Sequence, residues 1–107
     1  MVDLELAVTP EQLTQGLSNR RVLPRERGML FAYDRKLRPS VWMRDTYFPL
    51  DVIFVANGQV VDFAARLQPL SEAVITSEQP ADCMIEVHAG FIKMHGVARG
   101  TRVLFLY

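Results

Sequence analysis

Asp51-Val52-Ile53-Phe54-Val55-Ala56-Asn57-Gly58-Gln59-Val60-Val61-Asp62-Phe63-Ala64 decides the fold class of this chain. Two runs rich in β-branched and aromatic residues flank Asn57-Gly58, the dipeptide that best tolerates the positive φ angles of a type I′ turn. The reading is a β-hairpin with strands over 51–56 and 59–64. Asp51 is out of place in it, because a carboxylate that opens a strongly apolar strand needs a partner. Either it accepts backbone N–H groups from the Thr46–Pro49 turn, or it works as an acid or base with Glu86 or Asp45.

Immediately before the hairpin stands Ser40-Val41-Trp42-Met43-Arg44-Asp45-Thr46-Tyr47-Phe48-Pro49-Leu50, where the only tryptophan adjoins a cation and an acid. Tryptophan is usually well buried, whereas Arg and Asp resist burial unless paired, so this segment belongs at the lip of the core. If it is extended, Trp42, Arg44 and Thr46 face one way and Met43 and Asp45 the other. A stacking plane beside a planar cationic donor suits sugars, carboxylates and peptide backbones. The structural alternative has Trp42 filling the core and Arg44 paired with Glu86 or Asp51.

Further toward the N-terminus, Gly28–Tyr33 reads as a strand and Asp34–Pro39 as a polar turn. Thr9-Pro10-Glu11-Gln12 carries a threonine cap, a proline at the first helical position and a glutamine placed for a capping box, so a short helix begins there and stops at Gly16. Val2–Val8 alternates like a half-buried strand. Between helix and tryptophan lie Arg20, Arg21, Arg25, Arg27, Arg35, Lys36 and Arg38, broken by Glu26 and Asp34. This is a solvated rim or a site for phosphate or carboxylate.

Beyond the hairpin, residues 68–81 read as a long connection with an extended piece around Ala73-Val74-Ile75. Cys83–His88 reads as a strand, Gly90–Gly96 as one helical turn, and Thr101–Tyr107 as a closing strand. Short strands separated by turn signals give a mostly β fold: an antiparallel β-sandwich or flattened barrel with one or two short helices. At 107 residues, with half of them hydrophobic, the chain fits a single globular domain over 1–107.

Composition removes several function classes. Twelve basic and twelve acidic side chains cancel, so no global field draws the chain to nucleic acid. No apolar run reaches membrane-spanning length. Cys83 is the only cysteine, and its apolar neighbours suggest a buried, inert thiol. Glu86 and His88, two apart on a strand, with Asp82 and His95 nearby, are too sparse a set to imply a metal, and no cofactor is expected. Ser40, Ser71 and Ser77 lack a nucleophile elbow, and Gly90, Gly96 and Gly100 do not follow a phosphate-cradling pattern.

Gln15-Gly16-Leu17, Leu23-Pro24, Gly28-Met29-Leu30-Phe31, Trp42-Met43-Arg44-Asp45-Thr46, Pro49-Leu50-Asp51-Val52-Ile53-Phe54, Asn57-Gly58, Ser77, Pro80-Ala81, Glu86-Val87, Ala89-Gly90, Gly96 and Gly100 follow one another in an order that resembles the bacterial and archaeal family known as domain of unknown function 192. The resemblance runs over nearly the whole chain. It implies a small β domain of jelly-roll-like character, often found in relatives behind a secretion signal or lipoprotein anchor, and brings no established activity, substrate or cofactor. The family pattern generally reads Lys-Asn at Arg44-Asp45, and Asn at His88. Location is therefore expected to be exported, periplasmic or extracellular, with a cytoplasmic location open.

The functional expectation is a non-catalytic binding or interaction module for a small polar or anionic ligand, glycan or peptide at the cell envelope. Trp42, Arg44, Asp45, Thr46, Asp51 and Glu86 are its candidate binding residues. The rival is a hydrolase acting on an envelope polymer or glycoside through Asp51 and Glu86 as paired carboxylates. A third reading is a structural partner of another protein, which exposed apolar side chains at Tyr47-Phe48 or 104–107 would favour. Oligomeric state is not legible.

Overall fold

The computed structural model describes residues 2–106. Its elements are β1 (Asp3–Ala7), α1 (Pro10–Gln15), β2 (Arg27–Leu37), β3 (Ser40–Val41), β4 (Leu50–Ala56), β5 (Gln59–Leu67), β6 (Ile75–Thr76), β7 (Ala81–His88) and α2 (Phe91–His95). Five strands form one mixed sheet in the order β1-β2-β7-β4-β5, and β3 pairs with β6 in a two-stranded ladder. The β1–β2 pair is parallel and the others are antiparallel. The sheet is not closed into a barrel, and neither a full second sheet nor jelly-roll order appears among the described residues. The antiparallel sandwich or flattened barrel is thus replaced by an open sheet flanked by short helices and loops.

The β4–β5 hairpin forms as its sequence requires. Asn57 and Gly58 take φ of 53° and 74°, which turns the chain so that Ala56 faces Gln59. β4 is buried along its whole length because it lies inside the sheet and both of its faces are covered. Leu50, Val52 and Phe54 join one core with Met29, Phe31, Met43, Phe48 and Met84. Ile53 and Val55 join the other, with Cys83, Ile85, Val87 and Ile92. The first core is roofed by α1, the loop after it, the 41–48 segment and the β3–β6 ladder. The second is roofed by α2 and by Val97, Val103 and Phe105 of the C-terminal tail.

α1 starts where expected. Gln12 N–H donates to Thr9 Oγ1 at 3.2 Å and Thr9 N–H to Gln12 Oε1 at 3.1 Å, with Pro10 in the first turn and Gly16 ending the helix.

Two expected elements differ. The polar stretch 34–37 is the end of β2 rather than a turn, because the ladder with β7 breaks after Ala32 and resumes at Leu37–Ala81, leaving Asp34–Lys36 exposed on the irregularity. Residues 101–106 are extended, but only Arg102 bridges to another strand, at Gln59. Val103 and Phe105 still turn inward and Leu104 and Leu106 outward, so the alternation is real and the ladder is missing. Tyr107, included in the expected closing strand, lies outside the described residues.

Candidate functional site

The 42–47 segment is held by backbone hydrogen bonds from two loops. Met43 N–H donates to Ser71 carbonyl at 3.0 Å and Leu70 N–H to Thr46 carbonyl at 3.0 Å. From the other side, Asn19 N–H donates to Asp45 carbonyl at 2.7 Å and Ser18 Oγ to Arg44 carbonyl at 3.5 Å. Met43 and Phe48 plug the first core, and this fixes what stays outside. Trp42 is 46% exposed and Tyr47 is exposed as well, so Trp42 does not fill the core.

Each of these two rings carries a guanidinium. Arg44 Cζ lies 5.3 Å from the centroid of Trp42, and Arg21 Cζ 5.6 Å from that of Tyr47. Both distances are within cation–π range. Arg44 pairs with neither Glu86 nor Asp51. Its acidic neighbour is Glu72, at 4.0 Å with both side chains largely exposed, a pair worth little in water.

Thr46 departs from the expected alternation. Asp45 adopts a left-handed φ of 55°, reversing the chain, so that Thr46 is buried and its Oγ1 donates to Arg44 carbonyl at 3.3 Å. Asp45 contributes its backbone to the framework while its side chain is exposed.

Asp51 is fully buried and satisfied. Oδ1 accepts from Arg66 N–H at 2.9 Å, and Oδ2 from Gly90 and Ile92 N–H at 3.1 and 2.8 Å. Its donors are therefore the left-handed kink at Arg66 and the start of α2, not the 46–49 turn. Asp51 ties β4, β5 and α2 together and has no oxygen free for a ligand.

Glu86 is 5% exposed, and burial pushes its carboxyl up to about 7. No hydrogen-bond donor or cation partners it among the described residues. β4 and β7 pair Asp51 with Val87 and Val52 with Glu86. Successive side chains alternate across a strand, so the two carboxylates emerge on opposite faces of the sheet. They form no acid–base pair.

The remaining titratable groups have ordinary roles. A ring N–H of His88 bonds the Leu23 carbonyl, and His95 packs on Phe91 with centroids 4.3 Å apart. Burial pushes the Cys83 thiol up to about 12, as an inert thiol requires. No group of three or more His, Cys, Asp or Glu able to hold a metal occurs among the described residues. The basic band is divided: Arg20 pairs with Glu5, Arg21 stacks on Tyr47, and Arg38 Nε donates to Ser77 carbonyl at 2.8 Å.

Two hollows were not foreseen from sequence. One, of about 600 Å³, lies between the second sheet face and the C-terminal tail, with Leu30, Ile53, Ile85 and Phe105 among its walls. At its rim Leu6 and Leu104 are 56% and 82% exposed. The inward Val103 and Phe105 were its sequence signal. The other, of about 250 Å³, is bounded by β1, β2 and α1 and lined by residues including Glu5, Gln12, Gln15, Gly16, Arg20 and Met29. Its parts are scattered over 25 residues, and no motif announces them.

A family model described as Uncharacterized ACR, DUF192, matches residues 1–105. A crystal structure of a candidate transcription regulator from Sinorhizobium meliloti 1021 is 39% identical. It covers 94% of this chain and 79% of that one, with a TM-score of 0.90. A protein of unknown function from Novosphingobium aromaticivorans DSM 12444 is 31% identical, covering 97% of this chain and 75% of its own, with a TM-score of 0.92. No curated protein matches. No helix among the described residues is long and apolar enough to cross a membrane.

Proposed function

This chain belongs to the DUF192 family, and we propose that it is a non-catalytic binding module whose exposed Trp42–Arg44 stack receives a small ligand, glycan or peptide carrying an anionic group. One observation carries the reading: a half-exposed indole with a guanidinium over its face, on a segment clamped from both sides by backbone hydrogen bonds. Such a stack is pre-organised, so little side-chain freedom remains to be lost on binding. The weak partner Glu72 is readily displaced by a ligand carboxylate or phosphate able to meet the planar guanidinium edge. Thr46 and Asp45 act as framework. Asp51 and Glu86, expected at this rim, leave the proposed site. In keeping with the family's frequent secretion signals, the envelope is the proposed location.

Hydrolysis by Asp51 and Glu86 has no support, since each faces a different core. The transcription role given for the Sinorhizobium meliloti protein does not enter the proposal. The chain's charges cancel and its arginines are dispersed among carboxylate, aromatic and carbonyl partners. DNA binding rests on concentrated cation–phosphate contacts.

Trp42 is the only tryptophan, so intrinsic fluorescence reports the site directly. A thermal-shift screen of glycans, metabolites and peptides, followed by fluorescence titration of each hit, tests the reading. A hit that changes Trp42 emission and loses affinity in Arg44→Ala supports it. Hits that leave the emission unchanged and bind Arg44→Ala equally well overturn it.

A further inference from the structure

We propose that the hollow between α1 and the β1–β2 edge is a second binding site, for the primary ammonium group of a small amine, with the Glu86 carboxylate as its acceptor.

Across the first face of the sheet, strand register aligns Glu5, Met29, Glu86 and Val52 in one row. Glu5 and Met29 line the hollow directly. Glu86 is the next position inward, and Gly16, which also lines the hollow, lies over it: a β-carbon on Gly16 would sit 4.0 Å from Glu86 Oε1. The carboxyl does not itself line the hollow; it sits behind Gly16 and the Phe31 ring, whose Cζ would lie 3.0 Å from the same β-carbon.

Its other surroundings offer nothing to bond. Met29 and Val52 flank it across the strands, Met84 lies two positions away on its own strand, and all three are apolar and buried. The charged and titratable groups around this face are already committed or distant. Glu5 accepts two hydrogen bonds from Arg20, one at 2.8 Å. His88 is bonded to Leu23 carbonyl. The Tyr33 hydroxyl is held protonated, up to about 12, by burial and by Glu86 itself. Glu11 lines the outer part of the hollow.

No side-chain oxygen among the described residues is both sealed from solvent and unpartnered, so the Glu86 carboxyl, which has no protein donor, reaches a solvent-sized opening, and holding it there still costs stability that a methionine or leucine of similar volume would not. Its retention in an otherwise apolar row points to a donor arriving from outside. That donor must be small enough for a 250 Å³ hollow. It must also suit walls holding Glu5, Glu11 and two glutamine amides, with the lone Arg20 already paired. A metal ion would need several oxygen ligands close together, and methionine and valine neighbours cannot supply them. An alkylammonium fits: its N–H groups meet Glu86 past Gly16, and its alkyl end rests on Met29.

Ammonium binding selects the ionised carboxylate, so affinity rises with pH through the titration of Glu86 and then levels. The test is a ¹⁵N–¹H NMR titration of the full chain with n-propylammonium at about pH 5.5 and about pH 8.5. Tetramethylammonium, which has no N–H, is the control. The expected result is saturable shifts at Gly16 and Met29. Affinity should be about thirtyfold weaker at the lower pH and about tenfold weaker in Glu86→Gln, and the shifts absent with tetramethylammonium. No saturable shift, equal affinity in Glu86→Gln, or equal response to tetramethylammonium overturns the site. Should Glu86→Gln fail to fold, the pH dependence in the unaltered chain decides.

Discussion

Asp51 and Glu86 stand one position out of step on paired strands, Asp51 opposite Val87 and Val52 opposite Glu86, so two acids a few ångströms apart along the sheet face different cores. Their environments differ as sharply as their directions. Asp51 collects three backbone N–H groups while Glu86 collects none. One acid closes the fold and the other opens a chemical possibility.

Asp51→Ala should destabilise the domain by about 3 kcal/mol, since three N–H groups, that of buried Ile92 among them, lose their acceptor at once. Asp51→Asn should cost less, because one carbonyl oxygen remains while the amide NH₂ opposes a donor. Urea denaturation of the two variants checks the order. Equal stability of Asp51→Ala and the unaltered chain would show that these bonds are replaceable by water.

Glu86 makes stability depend on pH in the direction opposite to a salt-bridged acid. Its folded-state value, about 7, lies above the ordinary 4.5 of a glutamate in water. Below about pH 4.5 both states hold the proton and the group contributes nothing. Between 4.5 and 7 the folded state keeps a proton the unfolded chain has released, so stability falls as pH rises; above about 7 the slope ends. The full loss is about 3 kcal/mol. Glu86→Gln should match the unaltered chain at about pH 4 and exceed its stability by about that amount at about pH 8, as read by chemical denaturation at each pH.

How much of this was legible follows from where each signal lives. The hairpin and the capping box are encoded by residues within a few positions of one another, and sequence reasoning found them; it set Trp42 beside Arg44 but left open whether the indole fills the core. The parallel β1–β2 pair is a long-range choice. Nothing in Val2–Val8 distinguishes a parallel from an antiparallel partner. Thr46 was misplaced because Asp45 in the left-handed region breaks the period of two, and Asp carries that tendency only weakly. The separation of Asp51 from Glu86 depends on the register of β4 against β7, which no local pattern fixes. The tail at 101–106 carries a strand's alternation but meets β5 at a single bridge, Arg102 to Gln59, so periodicity alone could not tell it from a full strand.

Gly28 should tolerate no side chain. A β-carbon there would collide with the Glu86 carbonyl oxygen and press on Leu4 and Val87 at 3.0 Å each. Backbone cannot yield as a flexible side-chain end can. Gly28→Ala should therefore lower stability by about 2 kcal/mol and disturb the β2–β7 ladder. Hydrogen exchange should show faster amides at Met29–Phe31, and an unchanged exchange pattern would refute the close approach.

Neighbours Trp42 and Met43 should respond oppositely to truncation. Met43 is buried against Phe48 and the first core, and removing its side chain leaves a cavity, so Met43→Ala should cost about 2–4 kcal/mol. Trp42 is half-exposed, with the Arg44 guanidinium over its ring, so Trp42→Ala should cost under about 1 kcal/mol, and Arg44→Ala less still. Thermal or urea unfolding monitored by circular dichroism measures all three without relying on the deleted indole. If Trp42→Ala proved as damaging as Met43→Ala, the ring would be a structural pillar, and the binding role given to its exposed face would lose its foundation. The expected order, Met43 far above Trp42, leaves the indole free to serve a ligand at little cost to the fold.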